Sequence, residues 1–359
     1  MFREPELFTL PAMNALPPSF ASPDALRAAF VTGLRRLIGN PDLGALVLVM
    51  ANACFDPAIR AELETPLRRW FQELASRVRD ELRHGRPPDE PPDDLLVFLK
   101  LMAIGFDGVR LTRFRCAGPW EIQFNHVRAF RPGRMSTEGG TGVHVPFEPS
   151  GFHFNRSFLR KETFWSGVLA GRRVDLLYNK FPFAPVHALL VPERKTNRPQ
   201  YLERTDLDHL WRLAETLGAA LPGVGFGYNS YGAGASVNHL HFQMFMRDGP
   251  LPVAAPAWRH NGGVDAYPAH CLRFDRPEEA WRTLEQLHQE AVSYNLICLP
   301  GCLYCLPRKR PGDCRPPDWS GVFAWYELAG AFTTFNSDAF GALRTETIEA
   351  ALGAVSLVP

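Results

Sequence analysis

Two histidines and a glutamine occupy alternate positions in the stretch SVNHLHFQMF, residues 236–245. Side chains alternate between the two faces of a β-strand, so a strand here would place His239, His241 and Gln243 on one face. The apolar residues between them would pack on the opposite face. A helix would scatter the same residues and leave no clean apolar stripe. The spacing therefore predicts a strand that presents two imidazoles and an amide in a row.

A glycine-rich turn, GAGAS at residues 232–236, precedes this row. Glycine lets backbone N–H groups approach an anion closely, and Asn229, Ser230 and Asn238 add neutral polar side chains nearby. Imidazole is a competent nucleophile toward phosphorus, because a phosphoimidazole intermediate divides one difficult displacement into two easier ones. The pattern predicts a phosphate cradle beside a histidine nucleophile. The alternative is a polar strand face that meets solvent.

A zinc site is the other functional interpretation of two histidines at this spacing. Zinc needs a third protein ligand, and cysteines stand at 298, 302, 305 and 314. Cys302 and Cys305 lie an odd number of positions apart in a predicted strand, so they would face opposite ways. Buried structural thiols fit this spacing better than a metal centre. We therefore expect neither a metal ion nor another cofactor in the chemical step.

The charge balance excludes several classes of partner. The chain has 359 residues, with 39 Lys and Arg against 38 Asp and Glu, so no global field would hold it on nucleic acid or an acidic membrane. No segment approaches the roughly 20 apolar residues of a membrane span, and no apolar run of signal-peptide length stands at the N-terminus. Seven cysteines, an odd number, argue against a disulfide framework. We expect a soluble cytoplasmic protein without a nucleic-acid or membrane partner.

Residues 1–95 are predicted to form a helical N-terminal region that ends in a proline-rich acidic linker, GRPPDEPPDD. Apolar residues recur at helical spacing over residues 25–38 and again after Pro57. Asp56 and Pro57 form a good helix start, with a capping side chain before a proline in the first turn. Pro66 is expected to kink this second helix or to divide it in two.

Residues 96–359 form the second predicted domain, in which strand-rich segments are separated by single helices. This order predicts an α+β fold with a mainly antiparallel sheet and flanking helices. The predicted strands are 120–130, two within 174–192, two within 225–245, a hairpin turning at Pro300 and Gly301, and 320–335. The predicted helices are 205–221, with Thr205 and Asp208 as its capping box, 277–292 and 344–355.

Further candidates lie outside the histidine row. His187 leads into an apolar strand and, taken alone, is more often a satisfied core histidine than a catalytic one. Gln123 and Asn125 share a register on a predicted strand and are candidate substrate contacts. The arginines that follow them form either a solvated face or a phosphate contact; they are Arg128, Arg131 and Arg134.

Several motifs follow one another along the chain: EIQFNHVRAFRPGRMS, NKFPFAPVHALLVPE, GYNSYGAGASVNHLHFQ, YPAHC and YNLICLPGCLYCLPR. Together they resemble the GDP-hexose phosphorylases, which include the GDP-L-galactose and GDP-D-glucose phosphorylases. That family belongs to the galactose-1-phosphate uridylyltransferase branch of the histidine triad (HIT) superfamily, and diadenosine tetraphosphate phosphorylases are related to it. The resemblance covers about residues 112–359 and leaves residues 1–110 without a counterpart.

The resemblance implies a HIT-like nucleotidyltransferase domain and a role for each member of the row. His241 would be the nucleophile and His239 the histidine that orients the site. Gln243 stands where hydrolytic members have a third histidine, as in the transferase branch. His241 would attack the α-phosphorus of a nucleoside diphosphate sugar of the GDP-hexose type and form a nucleotidyl-histidine. Inorganic phosphate or a sugar phosphate would then accept the nucleotide.

The resemblance also implies substrate contacts and leaves alternatives open. Asn179 and Lys180 match the region that approaches the nucleotide. The region that matches the phosphate site contains Asn229, Ser230, Gly234, Ser236 and Asn238. The NKFPF motif is closer to the diadenosine tetraphosphate phosphorylases, so a dinucleoside polyphosphate is the alternative substrate and the base stays open. A homodimer is a candidate assembly, and a non-catalytic nucleotide-binding or partner-binding relative is the alternative from another class.

Gln243 also bears on the leaving group. A phosphate monoester has a second pKa of about 6, so it departs near neutral pH without receiving a proton, whereas an amine or alkoxide needs a general acid. A glutamine amide cannot supply a proton, but its N–H groups can hold a phosphate oxygen as charge shifts. The row therefore predicts the exchange of one phosphate-type leaving group for another.

Overall fold

The computed structural model describes residues 16–132, 142–321 and 323–357, and Arg134 lies outside these ranges. In the described ranges the helices are α1 (Pro23–Leu37), α2 (Leu43–Phe55), α3 (Pro57–Arg83), α4 (Pro92–Ile104), α5 (Arg204–Gly218), α6 (Pro277–Gln289), α7 (Trp325–Leu328), α8 (Ser337–Ala342) and α9 (Thr345–Val355). The strands there are β1 (Arg113–Ala117), β2 (Trp120–Phe124), β3 (Thr163–Leu169), β4 (Arg172–Tyr178), β5 (Ala188–Pro192), β6 (Val224–Asn229), β7 (Phe242–Met246), β8 (Leu272–Phe274), β9 (Ser293–Leu299), β10 (Cys302–Arg308) and β11 (Ala331–Thr334).

The predicted start of the long N-terminal helix is confirmed. Asp56 accepts the backbone N–H groups of Ala58 and Ile59 at the first turn of α3, and this capping satisfies donors that the helix itself cannot pair. The helix then runs without a break through Pro66, so the alternative in which Pro66 divides it is wrong. The cost of an interior proline is offset by burial, because the apolar face of α3 on both sides of Pro66 lies in one core cluster.

α2 is the most apolar helix of the N-terminal region, and all of its residues are buried. It contacts α1, α3 and α4 and shares their apolar cluster. No helix in the described ranges is both long and apolar enough to cross a membrane. Residue 95 lies inside α4, and the domain boundary expected there stays a prediction.

Eight strands form the main sheet in the order β3-β4-β5-β7-β6-β9-β10-β8, and each neighbouring pair is antiparallel. A smaller sheet joins β1, β2 and β11, with β11 parallel to β2. The predicted fold class is confirmed: the protein is α+β, its main sheet is antiparallel with flanking helices, and its N-terminal region is helical.

One face of the main sheet packs on α5 and α6 in a single apolar cluster. Leu240, Phe242 and Met244 point into this cluster, so the predicted apolar side of the histidine row is confirmed. The predicted hairpin is also confirmed, since β9 and β10 pair from Leu299 and Cys302 outward. The other face of the sheet therefore receives the residues that alternate with this apolar set.

The start of β7 differs from the prediction. The strand begins at Phe242, so the expectation that His239 and His241 lie within it is wrong. The N–H of Leu240 donates to the carbonyl of Arg198 (2.9 Å), and the N–H of His241 donates to Oε1 of Gln200 (2.9 Å). Because a neighbouring loop takes these donors, strand pairing starts only after His241.

Two other strand predictions are too long. β2 ends at Phe124, because the side chain of Asn125 accepts the N–H of Arg128 and begins a turn. The segment 320–335 contains helix α7 before β11. Glu327 accepts the N–H of Ala324 and caps that short helix (3.0 Å).

The capping box of α5 is also shifted. The helix begins at Arg204, and Asp206 accepts the N–H of Glu203 (3.0 Å), so the predicted pair of Thr205 and Asp208 is wrong. Asp206 is fully buried beside two arginines, and these ion pairs fix it at the start of the helix. Asp208 instead pairs with Arg204 one turn earlier.

Candidate active site

The imidazole of His241 has one nitrogen committed to the backbone. Its Nδ1 lies 2.8 Å from the carbonyl oxygen of His239, and a carbonyl only accepts hydrogen bonds. The proton of the neutral ring is therefore on Nδ1, and the lone pair is on Nε2. Burial lowers the pKa of His241 to about 4, because a charged ring would lose its hydration. The ring is neutral and nucleophilic at neutral pH.

Gln200 fixes the backbone of His241 from both sides. Its Oε1 accepts the N–H of His241 (2.9 Å), and its Nε2 donates to the carbonyl of the same residue (3.2 Å). The same Nε2 also donates to the carbonyl of Asn229 at the end of β6 (2.9 Å). One buried amide side chain thus joins the histidine row to the neighbouring strand.

The hydrogen bonds around Gln243 determine which way its amide points. Its Oε1 accepts from Nε1 of Trp325 (3.0 Å) and lies 3.0 Å from Nε2 of His187. The indole N–H can only donate. His187 accepts the N–H of Phe183 at Nδ1 (3.3 Å), so its proton is on Nε2 and points to Gln243. With two donors on its oxygen, the Gln243 amide directs its NH₂ group to the remaining side.

Trp325 reaches Gln243 across a glycine. A side chain at Gly227 would collide with the indole of Trp325, so only glycine at this position lets the ring lie against β6. The backbone N–H of Trp325 donates to Oδ1 of Asn229 (3.0 Å), and Asn229 also accepts from Nδ2 of Asn295 (2.7 Å). These contacts hold the indole in the position from which it orients Gln243.

His239 has the opposite tautomer from His241. Its Nδ1 accepts the N–H of Phe154 (3.2 Å), so the proton of the neutral ring is on Nε2. The pKa of His239 is lowered to about 4, mainly by burial and also by the nearby rings of His241 and His153, while the hydrogen bond to the carbonyl of Arg194 acts in the opposite direction. Both histidines of the row are therefore neutral bases at neutral pH.

Phe154 covers the two histidines. Its ring centroid lies 5.1 Å from that of His241 and 5.4 Å from that of His239, and His241 is only 5% exposed. A cavity of about 850 Å³ opens near Met246 and Arg247, at the far end of β7, and does not include His241. The His241 ring therefore lies under Phe154 and not in this cavity.

The predicted phosphate region is partly occupied by protein contacts. Ser230 accepts the N–H of Tyr294 through its hydroxyl (2.9 Å), and Asn238 donates to the carbonyls of Val145 and Pro146. Ser236 is exposed. Within the turn, Gly232 and Gly234 have φ values of +78° and +88°, which side-chain-bearing residues rarely adopt, and the N–H of Ala233 between them donates to the carbonyl of Ser230 (2.9 Å).

Four predicted substrate contacts support a different part of the chain, the NKFPF motif. Gln123 and Asn125 donate to the carbonyls of Phe183 and Pro182 (2.8 Å each). Asn179 accepts the N–H of Phe181 (3.0 Å), and its Nδ2 lies 3.3 Å from Nε2 of His187. Lys180 forms an ion pair with Asp94 of α4 (2.9 Å). The structure therefore commits these side chains to the fold around His187 and to the N-terminal helices.

Three residues at the site carry no signal in local sequence spacing. Gln200 lies in a loop, Trp325 lies in a segment predicted as strand, and Phe154 lies in an irregular segment. Each reaches the row only through the fold. The interpretation of His187 as a buried, hydrogen-bonded core histidine agrees with its contacts, which include Gln243.

The cysteines do not assemble into a metal centre in the part of the chain that the structure describes, where no three His, Cys, Asp or Glu side chains are grouped for an ion. Cys305 lies in the cluster under α5 and α6, whereas Cys302 packs on the opposite side of β10. The two thiols face opposite ways, as their spacing predicts.

Comparison with known proteins matches residues 121–245 to a family described as "GDPGP1-like, N-terminal domain". The GDP-D-glucose phosphorylase 1 of Danio rerio is 34% identical over 116 residues, which cover 32% of this chain and 33% of that protein. The GDP-L-galactose phosphorylase 1 of Arabidopsis thaliana is 32% identical over 130 residues, which cover 34% of this chain and 28% of that protein. Residues 121–245 are therefore similar to the GDP-hexose phosphorylases.

This similarity agrees with the resemblance that the motifs show, and the matched segment contains every predicted site residue. The chain spans about a third of the length of the curated relatives it matches. Among solved structures, yeast Ap4A phosphorylase Apa2 is similar, with 14% identity and a TM-score of 0.46, over 75% of this chain and 95% of that chain.

The buried neutral histidines predict a loss of stability between pH 7 and pH 5. The pKa is about 4 for His241 and about 3 for His187 in the folded protein, but about 6.5 in an unfolded chain. The unfolded chain therefore binds protons in this window that the folded protein does not. The free energy of unfolding should fall by on the order of 2 kcal/mol for each histidine.

Urea unfolding at both pH values measures this fall, with His241→Asn as the comparison. The asparagine amide can donate to the His239 carbonyl but does not titrate, so the variant should lose about 2 kcal/mol less than the native protein. An equal loss in the two proteins would show that His241 is not a buried neutral base.

Proposed function

We propose that this protein is a nucleotidyltransferase of the phosphorylase type that acts on a nucleoside diphosphate sugar of the GDP-hexose class. The observation that carries the proposal is the buried His241 ring, whose Nδ1 is bound to the His239 carbonyl and whose Nε2 has the lone pair. The names of the relatives, GDP-D-glucose and GDP-L-galactose phosphorylase, support the substrate class.

The proposed reaction has two displacements at one phosphorus atom. In the first, the Nε2 lone pair of His241 attacks the α-phosphorus, a P–N bond forms, and the bond to the bridging oxygen breaks to release a sugar phosphate. In the second, an oxygen of inorganic phosphate attacks the same phosphorus, the P–N bond breaks, and a nucleoside diphosphate leaves. The Nδ1–H···O=C bond to His239 stabilises the positive ring in the covalent intermediate.

Gln243 supports a phosphate-type leaving group. Because Trp325 and His187 both donate to its oxygen, its NH₂ group is the part of the amide that can face a substrate. Two N–H donors can stabilise charge on a phosphoryl oxygen as it develops, but they cannot protonate an amine. We assign Gln243 as a donor in the transition state and not as a general acid.

The other predicted residues take more indirect roles in this proposal. Asn229, Ser230 and Asn238 support the site, because their side chains bind protein groups. The turn at 232–236 offers backbone N–H groups to phosphate, and Asn179 and Lys180 border the nucleotide. The same proposal includes a homodimer, a sugar phosphate as the alternative acceptor and a cytoplasmic location. The seven described cysteines are all free, which supports a reducing compartment.

Replacing His241 with asparagine tests the nucleophile. His241→Asn preserves a donor to the His239 carbonyl and removes Nε2, so nucleotide should still bind while the covalent adduct is lost. Phosphorolysis should fall by at least about a thousandfold, as expected when a nucleophile is removed. Intact-protein mass measures the adduct after mixing with a panel of nucleoside diphosphate sugars and dinucleoside polyphosphates. Phosphate-dependent turnover of the same panel measures phosphorolysis.

Turnover of His241→Asn within tenfold of the native rate would contradict this assignment. The panel also identifies the substrate class, because the correct donor gives the adduct without phosphate and releases it when phosphate is added. An adduct that forms only with dinucleoside polyphosphates would replace the nucleoside diphosphate sugar as the substrate.

Gln243→Glu tests the donating amide. The carboxylate keeps an oxygen for Trp325 and His187 and replaces the donating nitrogen with a second oxygen that repels phosphate. Adduct formation should slow by about 100- to 1,000-fold, as on removal of an oxyanion donor, while urea unfolding at pH 8 shows an intact fold. The rate is measured by rapid quench with the donor identified above. A rate within about threefold of native would exclude the transition-state role.

A further inference from the structure

A second cavity lies on the same face of the main sheet as Gln243. In register, Gln243 pairs with Leu189 of β5, and Leu189 pairs with Leu177 of β4, so these three side chains share one face. Asp175 lies two positions from Leu177 and therefore also belongs to this face. A cavity of about 290 Å³ opens here, and Asp175 contributes to its lining.

The lining of this cavity is strongly basic. It contains four cationic side chains and one carboxylate. Arg194 is the most buried of the four cations: its side chain is 11% exposed, it donates to the hydroxyl of Thr163 (3.1 Å), and it is 3.7 Å from Asp175. The other three cations have no hydrogen bond or ion pair through their side chains within the described residues; they are Arg160, Arg173 and Lys195.

Three cationic side chains without a protein partner surround this concave surface, and the arrangement favours binding of an anion over contact with water alone. Burial lowers the pKa of Arg194, the carboxylate of Asp175 raises it, and the repulsion from Arg160 lowers it further. Asp175 therefore provides only part of the compensation for the charge of this partly buried guanidinium. A charged group of opposite sign in the cavity would supply this compensation and accept charge-assisted hydrogen bonds.

The cavity is connected to the histidine row by short contacts. The carbonyl of Arg194 accepts from Nδ2 of Asn155 (2.8 Å) and is also an acceptor for His239. Phe154, the neighbour of Asn155, donates its N–H to His239 and covers His241. β4 is two strands away from β7, which corresponds to about 10 Å. The cavity is therefore separate from the phosphorus that His241 would attack, but within reach of a second phosphate.

We propose that this cavity binds a phosphate dianion other than the one attacked by His241, and that Arg160, Arg173, Arg194 and Lys195 recognise it. Its volume of about 290 Å³ is at the lower limit for small-molecule pockets, so it suits a phosphate group and not a whole nucleotide sugar. Two sources share this chemistry: the entering inorganic phosphate held before attack, and the distal phosphate of a polyphosphate substrate. The proposal rests on the proposed function, but its test by binding does not require turnover.

The test compares two double variants with the same loss of charge. Arg173→Gln with Lys195→Gln removes two exposed cations of the cavity. Arg79→Gln with Arg282→Gln removes two exposed arginines from α3 and α6, away from it. Calorimetric titration with inorganic phosphate should show affinity at least about tenfold weaker in the cavity variant, the effect of losing charge-assisted hydrogen bonds, and unchanged affinity in the control.

Kinetics then separate the two sources. A higher KM for phosphate with an unchanged KM for the nucleotide donor identifies the entering phosphate. A higher KM for a dinucleoside tetraphosphate, without one for a nucleoside diphosphate sugar, identifies a distal phosphate. Equal phosphate affinity in the native protein and the cavity variant would overturn the proposal, and so would weaker binding that leaves every KM unchanged. Both double variants should still form the covalent adduct. A failure of this proposal is therefore distinguishable from a failure of the His241 assignment.

Discussion

The hydrogen bond from Nδ1 of His241 to the carbonyl of His239 sets the requirements for the rest of the site. It is local, because it joins residues two positions apart, but it needs a backbone that is not strand-paired at that point. A buried ring with this bond is neutral, has its lone pair on Nε2, and loses stability if it is protonated. The surrounding contacts hold that backbone in place.

Gln200, Asn229 and Trp325 form one connected set around this bond. Gln200 joins the backbone of His241 to the carbonyl of Asn229, and Asn229 holds the N–H of Trp325. Trp325 in turn donates to Gln243, across a strand position where only Gly227 leaves room. His241, the proposed nucleophile, and Gln243, the proposed hydrogen-bond donor to phosphate, are thus positioned by the same buried hydrogen bonds, and such networks are costly to leave incomplete.

Local patterns predicted the parts of the fold that depend on local physics. Alternation predicted the apolar face of Leu240, Phe242 and Met244, and the turn residues predicted the β9–β10 hairpin. Capping chemistry predicted the start of α3 at Asp56. The start of β7 was missed because the donors of Leu240 and His241 are taken by the distant loop at 198–200. Trp325 and Phe154 reach the site through tertiary contacts, and no periodicity in their own segments indicates a role.

The tautomer of His241 is the most direct test of this account. Two-dimensional ¹H–¹⁵N spectra of the histidine ring nitrogens, with the His241 signals assigned by their loss in His241→Asn, report the protonated nitrogen of each ring. We expect a neutral His241 ring with its proton on Nδ1 at pH 7.5 and still at about pH 5, since its pKa is about 4, whereas the His187 and His239 rings have their protons on Nε2. A His241 ring that is protonated on Nε2, or that titrates near an ordinary pKa of about 6.5, would contradict it.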